Sequence, residues 1–383
     1  MLRAQLFLLT MLAVALAVLG NAPPVSAQPQ LITTISVGPW AGAVGVNSTT
    51  NRIYVSNHAV TGASESVING VTNTVIATIP LGSGPTWPGV NEQTNRIYVG
   101  NRYEGTLSVI NGETNTVTKT ISLGSQPEGA AVDPTRNRIY VSTHGGGVYV
   151  IDGTDDTVLT TIAAGTDAGN IAVNPATNRV YVPANLGGNY VYVINGDTNS
   201  VVTTVPVGPI GTRPIGVALR LDTNRVYVTN CDSNDVSVID GTPGSPTENT
   251  VISTVPVGGC PYGVAVDPVL GRAYVANSST NNLSVIDTAS NTLIATVLDS
   301  STAGMGGVAV NPATSRIYVT NHSGDRVSVL EDSAPVGGIA EPPDEPSPHN
   351  SWAPDAIALV GLASGVVLLL AAGGWYAKRR RLS

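Results

Sequence analysis

The chain has 383 residues, 42 of them Gly and 26 Pro, and only 11% are charged. That length allows one large domain, and so little charge beside so much Gly and Pro is unlike an ordinary cytosolic protein. Within residues 28–355 there are 13 basic and 26 acidic residues, a net charge of −13 that repels a phosphate backbone and excludes nucleic acid as a partner.

The N-terminus carries Arg3, an apolar run from Leu6 to Leu19 and the small-residue site Val25-Ser26-Ala27. This order predicts a secretory signal peptide over residues 1–27. A strand-like segment, Ile32 to Val37, follows with no companion strands before it. Beyond it one sentence is repeated seven times. The run Asn-Arg-Ile-Tyr-Val and its variants places Tyr54, Tyr98, Tyr140, Tyr181, Tyr227, Tyr274 and Tyr318 at separations of 44, 42, 41, 46, 47 and 44 residues. A period in the forties built from short apolar runs is the signature of four-stranded propeller blades.

One unit, Cys260 to Leu298, shows four runs of four to seven residues rich in Val, Ile, Thr and Tyr, here strands A to D. Asn-Pro or Asp-Pro segments such as Asn174 to Asn178 supply turn chemistry between A and B. Between C and D stand Asn69-Gly70, Asn111-Gly112, Asp152-Gly153, Asn195-Gly196 and Asp240-Gly241, expected to provide positive backbone angles. Helical spacing of apolar residues is absent between residues 31 and 332. The last repeat stops after its C strand, Val327 to Leu330, while the orphan strand at Ile32 to Val37 has the character of a D strand. Pairing the two closes a seven-bladed, all-β propeller over residues 28–332 and removes its exposed edges.

The motif Tyr-Val-Thr-Asn appears verbatim at Tyr227 to Asn230 and Tyr318 to Asn321, and with small changes in the other five repeats. On these residues the chain resembles the YVTN family of β-propellers over about residues 31–332. The resemblance implies the fold and says little of function, because similar propellers serve as surface-layer components, binding proteins and relatives of enzymes.

Seven arginines, Arg52, Arg96, Arg138, Arg179, Arg225, Arg272 and Arg316, recur at the start of strand B. Their repetition points to bonds with turn carbonyls or acids between blades. The variable loops share the other face, where D-to-A and B-to-C connections surround the central channel. They make Trp40, His58, Trp87, Arg102, His144, Arg213, Tyr262 and His322 the candidate binding residues. Indoles on a polar face stack on sugars, peptides or other flat groups; their alternative is to plug gaps between blades. His58, His144 and His322 occupy one equivalent position, which raises a metal site, but blade three is not next to blade one, and a polar rim is the preferred reading. Two cysteines in an exported chain, Cys231 and Cys260, are expected to pair. The acidic groups at Asp152 to Asp156 and Asp232 to Asp235 fit no calcium loop, and sequons begin at Asn47, Asn277, Asn282 and Asn321.

Residues 333–355 are Pro-rich and acidic, a semi-rigid spacer. Residues 356–377 lack charge, and as a helix these 22 residues span about 33 Å, a bilayer core. The basic tail 378–383 places the C-terminus in the cytoplasm and the propeller outside. A sortase-type tail has the same order, yet no Leu-Pro-x-Thr-Gly precedes the run. Gly361 and Gly365 form a small-xxx-small pair suited to weak self-association.

The expectation is a single-pass cell-membrane protein whose propeller binds a protein, glycan or envelope polymer, without cofactor, resident metal or catalysis. An enzyme akin to propeller lyases or quinone- or metal-dependent oxidoreductases is the first alternative, weakened by the absence of a gathered catalytic set. A structural surface-layer component is the second.

Overall fold

The structure is a computed structural model that describes residues 28–165, 168–185, 188–298 and 304–333. The signal segment, the spacer beyond Ser333, the apolar run 356–377 with Gly361 and Gly365, and the tail 378–383 lie outside the described residues. Among the described residues no helix is long and apolar enough to cross a membrane.

Among the described residues, twenty-eight strands form seven four-stranded antiparallel sheets. The first described strand is β1 (Gln30–Ser36). Blade one holds β2 (Ala41–Asn47), β3 (Arg52–Asn57), β4 (Ser64–Asn69) and β5 (Thr74–Pro80). Blade two holds β6 (Gly89–Asn91), β7 (Arg96–Asn101), β8 (Thr106–Asn111) and β9 (Thr116–Ser122). Blade three has β10 (Gln126–Asp133), β11 (Arg138–His144), β12 (Gly147–Asp152) and β13 (Val158–Ile162). Blade four has β14 (Ala172–Asn174), β15 (Arg179–Pro183), β16 (Tyr190–Asn195) and β17 (Ser200–Pro206). Blade five has β18 (Pro214–Arg220), β19 (Arg225–Asn230), β20 (Asp235–Asp240) and β21 (Thr250–Pro256). Blade six has β22 (Pro261–Asp267), β23 (Arg272–Asn277), β24 (Asn282–Asp287) and β25 (Thr292–Leu298). Blade seven has β26 (Met305–Asn311), β27 (Arg316–Asn321) and β28 (Arg326–Glu331), completed by β1.

The closure is a true clasp. Leu31 lies opposite Leu330 and Ile35 opposite Val327. Ile35 also enters the core between blades seven and one, with Val329, Tyr318, Val44 and Ile53. First strands of neighbouring blades pack against one another, β26 against β2 included, so the ring surrounds a central channel. The cores lie between sheets, and each contains a fully buried motif Tyr with Val or Ile from both blades.

The repeated polar residues lock one face. Asn51, Asn95, Asn137, Asn178 and Asn224 all take left-handed backbone angles near 50° in the A-to-B turns, a conformation Asn tolerates better than most residues. The side chains of Asn51, Asn95, Asn137 and Asn224 also accept from the preceding blade: Asn47 Nδ2 donates to Asn95 Oδ1 at 2.9 Å, and Asn311 Nδ2 to Asn51 Oδ1 at 2.8 Å. Arg96 bonds Gly153 O at 2.8 Å and pairs with Asp156 of blade three, Arg316 reaches the Gly70 carbonyl of blade one, and Arg272 pairs with Asp332. Arg225 turns instead to Asp240 of its own blade.

One turn works differently from expectation. Positive angles in the C-to-D connections fall on Asn73, Asn115, Asp156, Asn199, Asn249 and Asn291, with Gly244 added in the longer connection of blade five, and not on Gly70 or its counterparts. Gly70 is required for proximity: its N–H donates to Asn51 O at 2.9 Å, and a Cβ there would collide with the Asn51 side chain. Of the sequon asparagines, Asn47, Asn277 and Asn321 are buried, and Asn282 is half-buried with its Oδ1 accepting from Asn277.

Candidate ligand site at the channel mouth

The loop face owes its shape to a bulge repeated at the start of strand A. In blades one, three, five, six and seven the A-to-B register shifts just after Ala41, Pro127, Pro214, Pro261 and Met305. Isolated bridges at Pro85 and Ala168 begin the same pattern in blades two and four. The next residue leaves the ladder, which is how bulges re-aim side chains. These residues are Gly42, Thr86, Glu128, Gly169, Ile215, Tyr262 and Gly306. Glycine in blades one and seven opens space that Glu128 and Tyr262 border from other blades.

The result is a cavity of about 360 Å³ whose lining includes Trp40, His58, Trp87, Arg102, Tyr103, Glu128, Tyr262 and His322. Trp87, from blade two, stacks on Tyr262, from blade six, with ring centroids 5.2 Å apart and planes 24° from parallel. Blades two and six are not neighbours, so this pair bridges the channel mouth and floors the cavity. Trp40 forms a wall, meeting His322 edge-on at 4.6 Å, and is 56% exposed. It holds a left-handed φ of 62°, where the equivalent residues of blades two and seven are Gly84 and Gly304 at 68° and 72°. An indole kept in that conformation stores about 1–3 kcal/mol of strain. Its backbone is pinned on both sides: Trp40 N–H donates to Asp325 Oδ1 at 2.7 Å, and its carbonyl accepts from His58 N at 2.8 Å.

Opposite stands Tyr103 on a short 3-10 turn, Arg102–Glu104, between β7 and β8. Its ring packs where a Cβ on Gly84 would lie, 2.5 Å from its edge. Tyr103 Oη is 3.5 Å from His58 Nε2. His58 Nδ1 lies 2.9 Å from the Pro85 carbonyl, which only accepts, so Nδ1 carries hydrogen and in the neutral ring Nε2 offers its lone pair toward Tyr103. His322 is held below the ordinary imidazole range by burial first and by His58 second, against an opposing pull from Asp325. Tyr262 is pushed up to about 12, chiefly by burial and then by Glu128, so it is a neutral phenol.

The charged groups cancel among themselves. Glu128 Oε1 contacts Arg102 Nη1 at 2.6 Å and His144 Nε2 at 2.5 Å, and Arg102 Nη2 lies 3.0 Å from the same imidazole nitrogen. His144 therefore buttresses Arg102 and Glu128 and is separate from His58 and His322. Among the described residues no three of His, Cys, Asp and Glu converge to hold a metal ion. Asp156 is engaged by Arg96 and Asp232 by Arg213. Arg213 lies outside the cavity lining, its guanidinium 3.6 Å from Cys260 Sγ. Cys231 and Cys260 are bonded to each other, joining blade five to blade six.

Residue motifs alone brought Trp40, His58, Trp87, Arg102, Tyr262 and His322 to attention, and the fold gathers them. Tyr103 and Glu128 were missed as site residues. The bulge register, visible by aligning repeats on Pro127 and Pro261, singles out Glu128 beside Tyr262.

A further buried group is linked through Ser56 to Thr86 of the cavity lining. Glu65 of β4 occupies the position of Leu107, Val148, Val191, Val236, Leu283 and Val327 in the other blades, and it is 0% exposed. Ser56 Oγ is 2.7 Å from Thr86 O and 2.9 Å from Glu65 Oε2. One hydroxyl hydrogen cannot serve both, and the carbonyl can only accept, so Glu65 is the protonated partner. Burial pushes its carboxyl up to about 8, which agrees.

Comparison with known proteins gives fold and nothing finer. The Kuenenia stuttgartiensis hydrazine synthase structure is similar at a TM-score of 0.69 with 17% identity, over 78% of this chain and 97% of that one. The Myceliophteria thermophila Cps50 (Swd1) β-propeller domain is similar at 0.67 with 9% identity, over 80% and 100%. No protein-family model and no curated protein matches the sequence. Both similarities are to propellers and show the fold alone, and the chain is a seven-bladed β-propeller.

Proposed function

We propose that the protein is a YVTN-type propeller held outside the cell by residues 356–377, and that it binds a ligand at the channel mouth without transforming it. The observation that carries this reading is the cavity above the Trp87–Tyr262 floor, which is concave, largely aromatic and flanked by an ion cluster whose charges are already spent. A rigid ring with varied loops on one face supports the same reading. The export signal, spacer and basic-flanked apolar run support the cell-surface setting.

A fragment screen read by tryptophan fluorescence on the full-length protein tests the site. Compounds that shift the emission and lose that effect in Trp40→Ala support it. A screen whose hits all bind Trp40→Ala unchanged would reject the channel mouth as the site. Protease shaving of intact cells tests the setting, with loss of the propeller expected and full protection contradicting it.

A further inference from the structure

We infer that the ligand of the channel mouth is a neutral saccharide, taken as the terminal one or two residues of a glycan. This rests on the binding reading above and names its chemistry.

Charge comes first. The cavity's cation, Arg102, and its anion, Glu128, are 2.6 Å apart, and Glu128 is buried. An anionic ligand would have to compete with Glu128 for the guanidinium, in a domain region whose net charge of −13 already repels it. A cationic ligand would meet Arg102 in the lining and no uncommitted carboxylate among the described lining residues. Desolvating an unpaired charge there is strongly unfavourable, so the complementary ligand is uncharged.

Polarity comes second. The walls combine indole and phenol rings with hydrogen-bonding tips: Tyr262 Oη and the Trp40 and Trp87 indole N–H groups, beside Tyr103 Oη and His58 Nε2, which face each other at 3.5 Å. A wholly apolar ligand would cover these groups without partners. A sugar ring presents an apolar C–H face to stack on an indole and a rim of hydroxyls, each both donor and acceptor. That combination satisfies both halves of the wall.

Shape comes third. The cavity's roughly 360 Å³ lies at the small end of the about 300–1,000 Å³ typical of ligand clefts. It is floored by the Trp87–Tyr262 stack, so a ligand enters from the loop face and stops there. A dead end of that size suits the end of a glycan and not the middle of a chain.

The test is calorimetric titration of purified full-length protein, kept free of glycoside detergents, at up to about 10 mM ligand. The probes are methyl hexosides, N-acetylhexosamines and neutral disaccharides, with glucuronate and choline as charged controls. Saturable binding of a neutral sugar, at least about tenfold weaker in Trp40→Ala and Trp87→Ala and unchanged in Val269→Ser, is the expected result. Val269 is exposed in an A-to-B turn, far from the loop face. Circular dichroism confirms that each variant is folded, and Trp40→Phe should recover part of the affinity.

No binding by any neutral sugar overturns the inference. So does sugar binding that both tryptophan variants retain. Trp40-dependent binding of choline or glucuronate alone also overturns it, while leaving the channel mouth as the site. The fragment screen above decides that broader reading separately.

Discussion

The two faces of the disc obey different rules. On the face of A-to-B and C-to-D turns, the same Asn, Arg and Gly recur blade after blade, and bonds such as Asn47 to Asn95, Arg96 to Gly153 and Asn311 to Asn51 run to the next sheet. On the loop face, equivalent positions hold Gly42, Thr86, Glu128, Ile215 and Tyr262 in turn. The contrast shows where each face spends its interactions. Repetition fastens neighbouring blades, and once they are fastened the loop face is free to hold unlike residues, some in costly conformations.

The largest expected effect breaks the fastened face. Arg272 is 3% exposed and its partner Asp332 also accepts from the Tyr274 hydroxyl. Asp332→Ala leaves a buried guanidinium without that carboxylate, and urea unfolding should show a loss of about 3–5 kcal/mol. A loss below 1 kcal/mol would mean that the turn-face network is ornamental.

Next in size is the pH dependence contributed by Glu65, which sits between the two faces. Its folded carboxyl is raised from 4.5 to about 8, so its stabilising contribution is complete below 4.5 and is lost as pH rises to about 8. The slope is about 1.4 kcal/mol per pH unit over that window. Glu65→Leu, which matches the other blades, should flatten the slope and raise the melting temperature at pH 8. An unchanged profile in Glu65→Leu would show that the carboxyl is ionised in the fold.

The smallest effect sharpens the loop-face half of the contrast. Trp40→Gly relieves the left-handed indole backbone and should raise stability by about 1 kcal/mol while abolishing ligand binding. A variant both less stable and fully active would reverse the assignment of Trp40 as a strained functional wall.

The fold was legible because its determinants are local and repeated. Tyr54 and its six counterparts mark the blades, and the missing D strand after Leu330 predicts the clasp made by Ile35 and its neighbours. The turn chemistry was read less well. Asn-Gly suggested positive angles at Gly70, whereas the angle sits at Asn73 and Gly70 serves close approach to Asn51. Site composition was harder still, because it depends on contacts across the ring. Nothing local tells that Trp87 meets Tyr262 from blade six, or that His144 serves Glu128 and stands apart from His58 and His322. Glu65 was legible in principle, as the one acid in a column of Val and Leu.

The strand Gln30–Ser36 finds its sheet partner only in Arg326–Glu331, almost three hundred residues later. As the chain is synthesised, therefore, this strand must wait unpaired until nearly the whole propeller has emerged. Blades one to six can nucleate from hairpins, but the circle locks in a single late event of high loop-closure cost. A propeller lacking Arg326–Glu331 would present two sticky rims at once, so the integrity of the whole ring hangs on one strand of six residues.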